Sequence, residues 1–89
     1  MLSRLAAAAN DVGAPTVAKR LRNGLKQLQG DVLADDEKDK LLSSLRNAVL
    51  NTAVRFGKAR FAQIVARHVD KATGLPPYIK QAVEWLRES

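Results

Sequence analysis

The chain has 89 residues, 46% of them hydrophobic, a net charge of +6 and no cysteine. That length makes a single domain, spanning 1–89, which can bury roughly 60% of the surface its unfolded form exposes. The missing cysteines exclude disulfides, thiolate metal sites and cysteine nucleophiles, and no apolar run approaches the ~18 residues of a membrane span. Alanine and leucine are abundant and β-branched runs are few. The predicted fold class is therefore all-α, a compact bundle of four to five helices.

Leu2–Val12 reads as a first, alanine-rich helix with Leu2, Leu5, Ala6, Ala9 and Val12 on one side. Its early part holds Arg4 and no acid, but it is too short and too rich in alanine for a secretory signal. Gly13 ends this helix. The chain restarts at Ala14–Pro15–Thr16, with Pro15 in the first turn or Thr16 as the N-cap. Val17–Gln29 is amphipathic. Val17, Leu21, Leu25 and Leu28 form its predicted core face, while Lys19, Arg22 and Lys26 line the opposite side. Gly30 closes the helix, and residues 31–34 link to the next element with Leu33 tucked in.

From Asp35 to Gly74 the sequence favours helix almost without interruption. Asp35 and Asp36 are N-cap residue types, and Glu37 and Asp39 put negative charge at the positive end of the helix dipole. Leu41, Leu42, Leu45, Ala48, Val49, Ala53 and Phe56 recur at steps of three and four. Beyond Gly57 the apolar positions are Phe61, Ile64, Val65, His68, Val69 and Ala72, and at 100° per residue their centre is displaced by roughly 160°. One straight helix cannot bury both faces against one core. Either the chain bends at Gly57, or one long helix is shared with a second copy that supplies another core. Lys71, Gly74, Leu75 and the double proline Pro76–Pro77 predict the stop. Pro77–Arg87 is the last helix, with Ile79, Ala82, Val83 and Leu86 inward and Tyr78 and Trp85 at the edges of that face.

The corner at Gly13 resembles a helix-turn-helix in placing Ala9 four residues before the turn glycine. Lys19, however, stands where that motif needs an apolar residue, and the turn is too short. The corner at Gly74 departs from the motif at Asp70. Both read as ordinary helix–helix corners of a bundle.

Positive charge is unevenly distributed. Residues 1–34 carry five basic and two acidic groups (+3), 35–52 three and four (−1), 53–74 five and one (+4), and 75–89 two and two (0). Arg60, Gln63, Arg67 and Lys71 share one narrow helical sector, and Arg55 and Lys58 add charge beside Gly57. Two helices thus each combine an apolar face with a positive one, a pattern that suits a phosphate backbone. No aromatic is interleaved in either stripe, so stacking on single-stranded bases is not indicated.

Catalysis has little material. His68, the one histidine, falls on an apolar face and reads as a boundary residue with a single hydrogen-bond partner. No serine sits in a nucleophile elbow, and there is no glycine-rich phosphate loop. The acids at 35–39 lack the glycine and distal glutamate of a calcium loop. No cofactor or metal is expected, and no enzyme activity. The expectation is a cytoplasmic, nucleoid-associated, self-associating protein that binds double-stranded DNA without sequence preference, of nucleoid, genome-packaging or small-regulator type. Lys19, Arg22, Lys26, Arg55, Lys58, Arg60, Arg67 and Lys71 would contact phosphates. The alternatives are a helical adaptor or inhibitor of an acidic protein partner, and a structural subunit of a helical assembly.

Overall fold

The computed structural model describes residues 2–30, 32–69 and 75–88. They form an all-α bundle of five helices: α1 (Leu2–Val12), α2 (Pro15–Gln29), α3 (Asp35–Phe56), α4 (Lys58–His68) and α5 (Pro77–Arg87). The molecule measures 35 × 23 × 20 Å. α1 packs on α2 and on α4, while α3 packs on α2, α4 and α5. Among the described residues α2 and α4 do not touch each other; α1 separates them.

α1 is the most enclosed helix. Leu5, Ala6, Ala8, Ala9 and Val12 are all buried, so apolar side chains cover more of its circumference than one face. Alanine permits this because its small side chain lets neighbouring helices approach closely. α1 ends in a Schellman motif: the Ala14 N–H donates to the Ala9 carbonyl (2.9 Å) and the Gly13 N–H to the Asn10 carbonyl (3.1 Å). The reversal needs the positive φ of +105° at Gly13. Pro15 then takes the first position of α2, where its missing N–H costs nothing, and Ala14 is the N-cap. Of the two starts predicted for this helix, the one with Pro15 in the first turn is found.

The core face of α2 is rotated from the one expected. Ala18, Leu21 and Gly24 are buried, whereas Val17, Leu25 and Leu28 are half-buried at its margins. Gly24 lies against Leu45 of α3: a Cβ built there would come within 2.7 Å of Leu45 Cδ1. The closest approach of α2 to α3 therefore runs through a residue with no side chain.

α3 has Ala34 as its N-cap, with no side-chain capping bond. Asp35, Asp36 and Glu37 occupy its first turn and act on the dipole, which corrects the expectation that Asp35 or Asp36 caps the helix. Leu45, Ala48, Val49, Thr52 and Ala53 are its buried residues. Thr52 is the polar one, and its hydroxyl donates to the Ala48 carbonyl at 2.7 Å.

The long stretch bends at Gly57, with φ +98° and ψ +122°. The Gly57 N–H closes α3 on the Ala53 carbonyl (2.9 Å), and the Gly57 carbonyl accepts from Phe61 N–H (3.0 Å) to open α4. The turn lets Leu45, Val49 and Ala53 of α3 and Phe61 and Val65 of α4 enter one core within one chain. The swing of apolar face seen in the sequence is therefore resolved as a corner.

α4 stops earlier than predicted. Val69 is extended (φ −115°, ψ 95°) and fully buried, and its carbonyl accepts from Arg87 Nη2 at 3.0 Å. A tertiary bond from the last turn of α5 thus holds the carbonyl of the residue at which the helix ends. The expected cap at Gly74, and the side chains of Lys71 and Ala72, lie outside the described residues. α5 matches the expectation end to end, with Ile79, Ala82, Val83 and Leu86 buried.

Candidate functional site

The amphipathic register of α2 places Lys19, Arg22 and Lys26 in solvent, with Asn23 and Gln27 beside them. On α4, Arg60 and Arg67 are exposed with Gln63 between them. Both stripes thus face outward, but they sit on helices that α1 holds apart. Lys71, the last member of the second stripe, lies outside the described residues.

Arg55 and Lys58, the cations flanking Gly57, are oriented by aromatic rings. The Arg55 guanidinium carbon stands 5.3 Å from the centroid of Phe56. The Lys58 ammonium stands 4.2 Å from the centroid of Trp85, which directs this half-buried cation toward α5. A third cation, Arg46, lies 5.6 Å from the Tyr78 ring. These contacts orient long side chains, and among the described residues none of the three cations pairs with a carboxylate.

A cavity of about 290 Å³ opens between the start of α2 and the end of α3. Arg20 and Arg55 line it, with Thr16, Val17, Asn51 and Phe56. Thr16 and Val17 belong to the first turn of α2, whose N–H groups have no intrahelical acceptor. Among the described residues no carboxylate lines the cavity. Sequence periodicity did not single out Arg20, because it lies off the three-and-four spacing of the α2 stripe. It meets Arg55 only once the Gly13 corner and the α2–α3 contact have formed. No local signal joins the two.

Among the described residues the one close contact of a basic side chain with a carboxylate is the hydrogen bond between His68 Nε2 and Asp11 Oδ2, at 2.5 Å. It ties the end of α4 to the end of α1, so His68 is the boundary histidine with one partner that the sequence implies. The acids of the first turn of α3 are exposed. No described helix is long and apolar enough to cross a membrane.

Fold and surface together define a small, basic, five-helix domain. No protein-family model matches the chain, and neither a curated protein nor a solved structure shows significant similarity to it.

Proposed function

We propose that the chain binds nucleic acid, with double-stranded DNA as the preferred partner, through its phosphates and without strong sequence preference. The observation that carries this reading is a set of outward cations with no acidic partner. Lys19, Arg22 and Lys26 on α2, and Arg60 and Arg67 on α4, make no ion pair among the described residues. A free protein gains little from holding like charges in rows. A polyanion gains affinity from them by releasing its condensed counterions. Arg20 and Arg55 add a pocket of matching sign between the start of α2 and the end of α3. The role is that of a binding protein, not an enzyme. It carries with it a nucleoid-associated, cytoplasmic setting and self-association along the duplex.

The test is titration of a short duplex at several salt concentrations, with mass measured by light scattering alone and on the duplex. Affinity falls steeply with salt, each neutralised phosphate contributing about −0.9 to the log–log slope. Arg60→Glu combined with Arg67→Glu abolishes binding while helicity is retained. A flat salt response, or no shift of a duplex at low salt, removes the reading; unchanged binding by the double variant removes the α4 stripe from the site.

A further inference from the structure

Among the described residues three large apolar side chains stand in solvent: Val32 at 83% exposure, Val54 at 79% and Trp85 at 36%. Val54 and Trp85 belong together. With Arg46, Leu50, Gln81 and Ala82 they line an open apolar cavity of about 430 Å³ between α3 and α5. Its charge is positive. Arg46 lines it, Lys58 sits on the Trp85 ring, and no acid is in the lining. Glu84 of α5 and Glu88, the residue that follows it, are exposed outside that lining, Glu88 on a neighbouring cavity that Lys58 also lines. Arg46 also lacks a full set of partners. Among the described residues its Nε is buried with no acceptor, and its one side-chain bond is a long 3.4 Å contact to Ser43 Oγ. A partly buried guanidinium without a carboxylate is a cost that an incoming acid would relieve.

Val32 has the complementary surroundings. It precedes the first turn of α3, where Asp35, Asp36 and Glu37 are all exposed, with Asp39 following. One end of α3 thus presents an apolar knob beside an acidic turn. The other end presents an apolar groove beside two cations. The two do not meet within one molecule: along α3 the acidic turn lies about 15 Å from Arg46 and nearly 30 Å from Val54, on the ~1.5 Å rise of a helix. The longest dimension of the whole molecule is 35 Å.

We infer that the α3–α5 groove takes a second copy of this chain, head to tail, with Val32 seated against Val54 and Trp85 and the acidic turn of α3 facing Arg46 and Lys58. The contact is heterologous: the surface used on one copy differs from that used on the next, so each added copy leaves one knob and one groove free. It grows into a ring or a filament rather than closing as a two-fold dimer. The net charge of +6 opposes indiscriminate association. The local pairing of acidic knob with basic groove is what selects this orientation.

The experiment uses the full chain without DNA, so its outcome is independent of the nucleic-acid reading. Sedimentation and the emission of Trp85, the single tryptophan, are followed from low micromolar to millimolar protein. A patch this small predicts dissociation constants on the order of 0.1 mM. Mass rises past the dimer, Trp85 emission shifts to the blue, and added salt weakens both. Val32→Gln and Val54→Gln leave net charge unchanged and replace exposed side chains, so helicity persists. Each weakens association about tenfold or more. Mixing the two variants restores one intact knob and one intact groove, and gives a one-to-one dimer that neither forms alone. A strict monomer through the millimolar range overturns the inference. So does association insensitive to Val32→Gln, a wild-type dimer that stops growing, or a mixture no heavier than its components.

Discussion

Two glycines lie inside helix-forming sequence, and their neighbourhoods show how differently a missing side chain can be used. At the α2–α3 contact, Gly24 stays helical and buried, and its space is already taken by Leu45. At the α3–α4 corner, Gly57 is exposed, and the nearest atom to a built Cβ is Arg60 Cβ at 4.0 Å. Space is free there, and the backbone angle of φ +98° is what excludes other residues. One glycine lets two helices approach; the other lets one helical stretch become two. By helix propensity alone, each would count as a mid-helix glycine with a penalty of about 1 kcal/mol relative to alanine. The sequence therefore presents the same local penalty twice for opposite structural ends.

The largest expected effect tests the packing side of this comparison. Leu45→Ala removes a fully buried side chain and should cost about 2–5 kcal/mol, read by chemical denaturation. Gly24→Ala in that background should be tolerated, because the methyl enters the space Leu45 vacated. Alone, Gly24→Ala gains helix propensity but meets Leu45 Cδ1, Cδ2 and Cγ at 2.7, 3.0 and 3.3 Å. Overpacking of about 1–3 kcal/mol then outweighs the gain. The two substitutions should couple strongly in a double-mutant cycle. Strict additivity would mean that Gly24 and Leu45 do not compete for space.

Next in size is the corner. Gly57→Ala should cost about 1–3 kcal/mol from backbone strain alone, a fall in Tm of several degrees for a domain of this size. The loss should be indifferent to changes at Leu45, since the two positions share no contact that a methyl at 57 would disturb. A neutral Gly57→Ala would show that the corner tolerates an ordinary residue. It would return the two-faced stretch to the alternative of one straight helix shared between copies.

Much of this architecture was legible because helix ends and faces are written locally. α1 and α5 are bounded by Gly13 and by the double proline, and their apolar spacing gives their extents directly. The break at Gly57 was legible as a conflict of faces, although the sequence left open whether one chain or two would resolve it. What escaped was set by neighbours in space. The face of α2 was centred on its large apolar residues, whereas the closest packing runs through Ala18 and Gly24. The end of α4 at His68 coincides with Val69 buried in the core and bonded by Arg87, eighteen residues away. Of the candidate site, the stripes were readable because exposed cations follow helical spacing. The meeting of Arg20 with Arg55, and of Lys58 with Trp85, was not, since each joins different helices.

The smallest expected effect is the control that separates the two uses of glycine from glycine as such. Gly30 caps α2 with φ −84° and ψ 142°, angles any residue adopts. Its N–H bond to the Lys26 carbonyl, at 3.1 Å, survives an added methyl. That methyl would sit 3.2 Å from Val32 Cγ2, the tip of a side chain that is 83% exposed and can turn aside. Neither space nor backbone angle requires glycine here. Gly30→Ala should therefore stabilise the fold by about 0.4–1 kcal/mol, chiefly by restricting the unfolded chain. Thermal unfolding reads this as a small rise in Tm. A loss of more than about 1 kcal/mol would mean that Val32 is held in its exposed position by contacts near Gly30. The contrast drawn between Gly24 and Gly57 would then no longer account for where this chain needs glycine.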